Sequence, residues 1–369
     1  MKLVIDGSNI ISGGGLTHLI ELLRYNTPLK YGFTIVLVWA PDKTLRKIKR
    51  KDWLIKKSHP YLNKGYFARY VWKKFILKNS LNDTDVIFIP GTGYISCSCK
   101  VITMCRNLLP LEIQETNRYF PSLIWVRLLL LRFLHLKTFK KANGIIFLNE
   151  YCYNKVYELT GSITDHTIIP HGVNSRFKKE KRSFKIDKKF NLLYVSTLDL
   201  YKHQWKIAEA VLNLKKQGFP IELTLIGDAF ANTEEKLNNI LAEYPKEQHY
   251  VKWLGKVPYN QLQKYYEKAD AFIYGSTCET FGMTLLEAMA ASLPVACSNK
   301  SSMKNMLEEA GIYFDPENVP SIENAILKLF HSRKLREELG KKSHNLAMKY
   351  DWKITADKTF KYLSEIAFY

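Results

Sequence analysis

Residues 278–294 read Cys-Glu-Thr-Phe-Gly-Met-Thr-Leu-Leu-Glu-Ala-Met-Ala-Ala-Ser-Leu-Pro, and this stretch decides the fold. The apolar run before it, residues 270–276, predicts a buried strand, and good helix formers follow from Thr284. The loop between strand and helix carries a carboxylate, Glu279, and a glycine, Gly282. Open α/β sheets bind ligands at such loops, and the free amides of a helix start favour a diphosphate.

A purely structural interpretation fits the same residues. Thr284 and Glu287 have the spacing of a capping box, with the threonine as N-cap and the glutamate at the third helical position. Glu279 would then be an ordinary loop carboxylate. Spacing alone does not separate this interpretation from ligand binding.

Seven residues separate Glu279 from Glu287, and Phe281-Gly282 lies between them. This Glu-x7-Glu pattern resembles the signature of retaining glycosyltransferases of family 4, which include enzymes of bacterial cell-surface polysaccharide and lipopolysaccharide synthesis. The resemblance implies that Glu279 is catalytic beside the donor sugar and that Glu287 binds the ribose. It implies further donor contacts, to sugar hydroxyls or phosphate, at Phe281, Gly282, Met283 and Thr284.

Residues 194–205 carry a second part of the resemblance. They read Tyr-Val-Ser-Thr-Leu-Asp-Leu-Tyr-Lys-His-Gln-Trp and resemble the family segment Gly-Arg-Leu-x-x-x-Lys-Gly. Lys202 matches the catalytic, donor-binding lysine of that segment. A fixed ammonium there would stabilise the charge that develops on the diphosphate as the sugar–phosphate bond breaks.

Two residues depart from the family pattern in this segment. Thr197 stands in place of an arginine and His203 in place of a glycine. The first change removes a permanent cation with forked donors, so phosphate recognition needs another group. Arg106, His203 and the helix start at Thr284 are the candidates.

The beginning of the chain predicts another strand–loop–helix unit. Residues 2–6 form the strand, and the glycine-rich residues 7–15 form the loop. The fingerprint G-x-G-x-x-G fails, because His18 stands at its third glycine, and this argues against a nicotinamide-dependent oxidoreductase. The loop resembles the one that lines the interdomain cleft in the same glycosyltransferases. The residues predicted on this acceptor side are Gly14, Gly15, His18, Arg106 and Asn107.

Two sets of strand–helix alternation predict the fold class α/β. We expect two facing, doubly wound Rossmann-like domains, the GT-B arrangement, with an interdomain cleft. The predicted domains are an acceptor-binding domain over 1–175 and a nucleotide-sugar-binding domain over 176–350. A charged linker opens the second domain at residues 176–189. The resemblance to the GT-B family implies that residues 351–369 form a helix that crosses back to the first domain.

Composition excludes several protein classes. The 369 residues are 46% hydrophobic and 24% charged, as in folded globular proteins of more than one domain. The six cysteines lack metal-ligand spacing, and we expect reduced thiols in a cytoplasmic protein. The first residues predict a strand and not a signal peptide. No nucleic-acid-binding motif accompanies the basic charge.

The net charge of +20 is concentrated in the first half. Residues 1–170 hold 25 Lys and Arg against 11 Asp and Glu. Eight of the fifteen residues over 43–57 are basic. Such a run is also typical of the solvent-exposed face of a helix. Residues 125–137 predict an apolar helix flanked by arginines. We therefore expect peripheral attachment to the inner, anionic face of the cytoplasmic membrane.

The resemblance implies a retaining, metal-independent glycosyltransferase without a cofactor. It would move a sugar from a nucleotide sugar to a lipid-linked or polysaccharide acceptor, in O-antigen, capsule or lipopolysaccharide synthesis. The triplet Asp83-Thr-Asp85 precedes a strand, so we interpret it as a turn and not as a metal site. A sugar-nucleotide epimerase of the same overall fold is the main alternative.

Overall fold

The structure is a computed structural model that describes residues 1–25, 27–83, 85–180, 182, 184 and 189–368. The chain divides into two compact units. The first comprises Met1–Leu111, Leu129–Gly172 and Asp351–Tyr369, and the second comprises Glu112–Leu128 and Val173–Tyr350. Part of the predicted linker, and Thr84 of the acidic triplet, lie outside the described residues.

The first unit contains a parallel sheet, here described in order along the chain. Its strands are β1 (Lys2–Asp6), β2 (Ile35–Trp39), β3 (Leu54–Lys57), β4 (Val86–Ile89), β5 (Lys100–Met104), β6 (Gly144–Phe147) and β7 (His166–Ile168). Their spatial order is β3-β2-β1-β4-β5-β6-β7. The order reverses between β1 and β4, and this switch point is where doubly wound sheets bind ligands.

Among the described residues, six α-helices precede the second sheet in the chain, not counting short 3-10 and π-helical turns. They are α1 (Gly13–Tyr25), α2 (Asp42–Leu45), α3 (Tyr66–Val71), α4 (Ile113–Asn117), α5 (Leu123–Lys141) and α6 (Glu150–Thr160). The basic stretch 43–57 is therefore not one helix face. It begins in α2 and ends in the edge strand β3, where lysines are tolerated because one side of the strand faces solvent.

The second unit contains another parallel sheet. Its strands are β8 (Phe190–Val195), β9 (Ile221–Ile226), β10 (Val251–Trp253), β11 (Ala271–Tyr274), β12 (Val295–Ser298) and β13 (Gly311–Phe314). Their order is β10-β9-β8-β11-β12-β13, which puts the switch point between β8 and β11. Both sheets are parallel and carry helices between their strands, so the predicted α/β fold class is confirmed.

The remaining helices complete the two units. They are α7 (Gln204–Lys216), α8 (Thr233–Ala242), α9 (Gln263–Lys268), α10 (Met283–Ala290), α11 (Met303–Leu307), α12 (Val319–His331), α13 (Arg333–Ala347) and α14 (Trp352–Phe368). Although α14 comes last in the chain, it belongs to the first unit. There the Tyr362 hydroxyl accepts from the Ile145 amide at 3.2 Å and donates to Asp165 Oδ1 at 2.9 Å.

Candidate functional site

The switch point of the second unit brings together two residues that are far apart in sequence. Lys202 ends a short turn after β8, and Glu279 lies in the loop after β11. Because β8 and β11 are parallel neighbours, their carboxyl ends lie side by side. The Lys202 ammonium forms an ion pair with Glu279 Oε1, and both side chains are largely buried. Sequence analysis selected both residues, and the structure places them in direct contact.

Tyr274, the last residue of β11, completes this cluster. Its hydroxyl donates to Glu279 Oε1 at 2.6 Å and lies 3.2 Å from Lys202 Nζ. Lys202 Nζ also lies 4.8 Å from the ring centroid of Tyr201, a cation–π contact. The lysine is thus held by a carboxylate, a phenol and a ring face. Sequence analysis missed Tyr274, although it lies only five residues before Glu279.

The loop that carries Glu279 is fixed by serines. The Glu279 amide donates to Ser301 Oγ at 2.8 Å, and Ser301 and Ser302 both donate to the Glu279 carbonyl at 3.0 Å. These bonds hold the main chain of Glu279 in place. Its carboxylate contacts Lys202 and Tyr274. The geometry is that of a rigid loop with one charged side chain directed at the switch point.

Helix α10 begins at Met283, and Gly282 is its N-cap in the left-handed conformation, with φ 82°. Most other residues pay a steric cost at this φ. The predicted capping box is wrong: Thr284 lies inside the first turn, and α10 has no side-chain cap. Thr284 Oγ1 is a buried hydroxyl with no partner among the described residues. Phe281 is buried against Tyr350, so only its main chain can serve a ligand.

Glu287 lies in the middle of α10 and is buried. Its two carboxylate oxygens accept hydrogen bonds from the hydroxyls of Tyr259 and Tyr266, each at 2.9 Å. Burial raises the pKa of Glu287 to about 7, against the lowering effect of the two phenol bonds. The carboxylate therefore has ready-made hydroxyl partners, which is the chemistry that a ribose diol would offer.

A third group of polar contacts surrounds His203, which adopts φ 53° at the start of α7. Its Nε2 lies 3.3 Å from Thr277 Oγ1, and that hydroxyl donates to Glu115 at 2.6 Å. Burial lowers the pKa of His203 to about 4, so the ring is neutral near pH 7. A neutral His203 does not replace the missing arginine as a cation. Thr197, at the arginine's position, is exposed.

Residues 112–128 contribute side chains to the second unit that sequence analysis did not connect with it. The Tyr119 hydroxyl donates to Asp199 Oδ1 at 2.5 Å, three residues before Lys202. Arg118 pairs with Glu115 at 2.7 Å and with Glu317 at 2.9 Å. The Arg118–Glu115 pair is local, but no local pattern in the sequence predicts the contacts with Asp199 and Glu317, because those partners lie 80 and 199 residues away.

The acceptor-side residues of the first unit separate into two groups. Gly15 lies directly against the Arg106 guanidinium, where a Cβ would overlap it, and Arg106 Nη1 donates to the Pro90 carbonyl at 2.6 Å. Burial lowers the pKa of Arg106 to about 10. Gly14 and Asn107 are exposed. His18 is buried, with its ring centroid 4.9 Å from that of His171, and it cannot contact a ligand without movement.

The described residues do not form a cluster typical of a metal site. They contain no group of three or more His, Cys, Asp or Glu side chains that could hold a metal ion. Asp85 instead pairs with Lys2 at 2.8 Å and accepts from the Asn82 amide, and Asp83 accepts from Ser98.

None of the helices described in the structure is long and apolar enough to cross a bilayer.

Comparison with known proteins identifies the second unit. Residues 175–346 match the family model described as "Glycosyl transferases group 1". This segment, a little under half of the chain, is similar to that family. The match confirms the predicted resemblance to glycosyltransferases, whereas the narrower assignment to family 4 stays a prediction.

Two similar proteins from bacteria illustrate the extent of the sequence matches. O-antigen chain mannosyltransferase B of Escherichia coli is 28% identical over 45% of this chain and 44% of its own length. Alpha-monoglucosyldiacylglycerol synthase of Acholeplasma laidlawii is 29% identical over 56% of this chain and 53% of its own length. The chain therefore spans about half the length of the curated relatives it matches.

The fold extends beyond the group 1 segment. The crystal structure of HepE from Anabaena, in complex with UDP-glucose, superposes with a TM-score of 0.74 and 16% identity. The likeness covers 99% of this chain and 100% of that one. It confirms the GT-B fold class over both units.

Proposed function

We propose that the protein is a retaining glycosyltransferase that takes its sugar from a nucleotide sugar. The observation that carries the proposal is the buried contact between Lys202 and Glu279 at the switch point of the second sheet. A cation and a carboxylate at the carboxyl ends of neighbouring strands suit a sugar diphosphate, since one can meet the phosphates and the other the sugar.

The donor would lie along the loop from Glu279 to the start of α10. Lys202 would meet the diphosphate, and the amides of Gly282 and Met283 would bind phosphate or sugar hydroxyls. Glu287 would exchange its phenol partners for the ribose hydroxyls. The UDP-glucose complex of HepE, which has this fold, supports a nucleotide-sugar donor.

Transfer with retention would break the bond between the sugar C1 and the diphosphate oxygen. The acceptor oxygen would bond to C1 on the same face, and its proton would pass to the departing diphosphate. Lys202 would stabilise the negative charge that accumulates on that diphosphate. No metal is required by this scheme, so we propose metal-independent transfer.

The acceptor that we propose is a lipid-linked or cell-surface glycan, at the inner face of the cytoplasmic membrane. Support comes from the names of the relatives, one acting on O-antigen chains and one named for a diacylglycerol product. The excess of basic residues over 1–170 and the exposed Leu130 and Phe133 of α5 agree with a membrane-bound acceptor.

The test is a panel of UDP-, GDP-, ADP- and TDP-linked sugars, incubated with the protein and a bacterial lipid extract. The expected result is free nucleotide diphosphate and a glycosylated lipid, unaffected by EDTA, whose new linkage keeps the donor's anomeric configuration by NMR. Lys202→Ala serves as the inactive control. An altered sugar nucleotide without transfer would establish an epimerase instead, and inversion or EDTA sensitivity would overturn the respective part of the proposal.

A further inference from the structure

One stretch of the first unit carries basic charge of a single sign. Between Trp53 and Asn82 the sequence contains no Asp or Glu. Its seven basic residues are Lys56, Lys57, Lys64, Arg69, Lys73, Lys74 and Lys78. This is a different part of the chain from most of the basic stretch over 43–57, with which it shares only its first residues.

The centre of the stretch is helical and has two unlike faces. Helix α3 (Tyr66–Val71) continues without a break into a π-helical turn, Trp72–Leu77. Trp72 and Leu77 are fully buried and pack into an apolar cluster that includes Leu62 and Ile89. The inward face thus anchors the segment to the sheet of its own unit.

The outward face is aromatic. Four large rings within ten residues are mostly exposed: Tyr66 (56%), Phe67 (78%), Tyr70 (53%) and Phe75 (56%). Exposed apolar side chains are common when scattered, but a contiguous group is a mark of an interaction site. Burying the rings against a partner would remove a large apolar area from water.

Cations lie beside two rings of this stretch, Phe75 of the exposed group and Tyr61, which precedes α3. Lys74 Nζ lies 5.2 Å from the ring centroid of Phe75, and Lys64 Nζ lies 5.7 Å from that of Tyr61. Lys64, Lys74 and Lys78 are all exposed. Aromatic side chains that enter the boundary of a bilayer, with lysines at its anionic headgroups, are the composition of interfacial helices. Carboxylates from outside the stretch do reach it: Asp6 pairs with Lys73 at 2.7 Å, and Asp42 accepts from Asn63 at 2.6 Å. The basic charge of this surface is therefore that of the exposed lysines.

We propose that α3 and the turn after it, the aromatic face of the first unit, dock on an anionic lipid bilayer by inserting Phe67 and its neighbours. The inference deepens the proposed function, because it rests on a membrane-bound acceptor and names the segment that makes contact. It assigns the apolar contribution to Tyr66, Phe67, Tyr70 and Phe75 rather than to the leucines of α5 alone.

The experiment is co-sedimentation of the full chain with vesicles of phosphatidylcholine, with or without 30 mol% phosphatidylglycerol (about one lipid in three). We expect binding that requires the anionic lipid and weakens as salt rises. The double variant Phe67→Ser/Tyr70→Ser should bind about tenfold more weakly or worse. Phe230→Ser is the matched control, an exposed aromatic residue of the second unit, and should bind as the parent does.

Insertion has its own readout. Phe67→Trp should give tryptophan fluorescence that is quenched by vesicles with brominated acyl chains, whereas Phe230→Trp should not. The Lys64→Gln/Lys74→Gln/Lys78→Gln variant should lose anionic selectivity, and comparison with Lys47→Gln/Lys49→Gln/Arg50→Gln/Lys51→Gln separates the two basic stretches.

Unchanged binding of Phe67→Ser/Tyr70→Ser, or equal binding to neutral and anionic vesicles, would overturn the inference. So would concentration-dependent self-association that this variant abolishes, since the face would then bind a second copy. The thermal shift produced by nucleotide diphosphates monitors the donor site separately. If that shift is retained while vesicle binding fails, the membrane inference alone is wrong and the donor site stands.

Discussion

Lys202 is a cation already engaged by its own protein. Its partner Glu279 is largely buried, so truncating the lysine leaves that carboxylate without its cation and with the Tyr274 hydroxyl as a donor. A donor diphosphate would compete with Glu279 for the same ammonium. The Lys202 charge is therefore balanced before the donor arrives. To displace Glu279, the phosphates must interact with the ammonium more favourably than the carboxylate does.

We expect Lys202→Ala to lower turnover on the order of 10²-fold or more, because a group that stabilises developing charge is lost. Lys206→Ala is the control, since Lys206 lies in the first turn of α7 and pairs with Glu209 at 3.0 Å. Steady-state turnover is the measurement, and circular dichroism checks that each variant folds. Turnover within a few-fold of the parent would remove Lys202 from the proposed mechanism.

Glu287 makes stability depend on pH. Its pKa is about 7 in the folded protein against an ordinary value of 4.5, because burial disfavours the charged form. Between these values the folded state holds more protons than the unfolded state, so its contribution to stability falls as pH rises. Each pKa unit corresponds to about 1.4 kcal/mol.

Glu287→Gln should remove this dependence. The variant and the parent should have similar unfolding free energies near pH 4.5. At pH 8 the unfolding free energy of the variant should exceed that of the parent by roughly 1 to 3 kcal/mol. Urea unfolding across that pH range measures the difference, with the exposed Glu243→Gln as control. A constant difference at every pH would show that the carboxylate does not titrate in this window.

At the scale of elements, the N-cap of α10 is a constrained turn of the proposed donor site. Gly282 has φ 82°, and a Cβ there would approach Met303 Cε to 3.2 Å. Gly218 has φ 94° but open space around its Cα, so it isolates the conformational cost from the contact. Both Gly282→Ala and Gly218→Ala should lower the unfolding free energy by about 1–2 kcal/mol.

Only Gly282→Ala should also weaken nucleotide diphosphate binding, because only its amide neighbours are proposed to face the phosphates. Calorimetric titration of UDP and GDP into both variants is the measurement. Equal affinities would place the diphosphate elsewhere.

Buried strands can be predicted from apolar runs, whereas the strand β3 at the edge of its sheet cannot. An edge strand has one neighbour and tolerates polar residues, so β3 reads Leu-Ile-Lys-Lys and looks like part of a basic run. Central strands such as β1 and β11 are buried, and their sequences are recognisable as continuous apolar runs.

The candidate site follows the same logic. Lys202 and Glu279 could be selected because each lies in a recognisable local motif. The hydroxyls of Tyr259 and Tyr266, which hold Glu287, belong to no motif and are brought there by packing. The capping-box prediction was wrong for Thr284 because spacing cannot distinguish a residue before the first turn from one inside it.

For the whole molecule, the two units should respond unequally to a nucleotide. The proposed donor contacts, Lys202, Glu279, Gly282 and Glu287, all belong to the second unit. Hydrogen–deuterium exchange with and without nucleotide diphosphate should therefore protect peptides around α10 and the turn after β8 most strongly. Equal protection of peptides around β1 and α1 would show that the proposed donor site is incomplete.

The return of α14 to the first unit has a consequence for synthesis on the ribosome. Gly172 lies directly against Trp352, and Trp352 is buried beside His18 and His171. Until these last residues emerge, the nascent first unit presents an uncovered apolar surface while the whole of 173–350 is translated. We therefore expect the second unit to complete its contacts before the first unit does, although the first unit begins earlier in the chain.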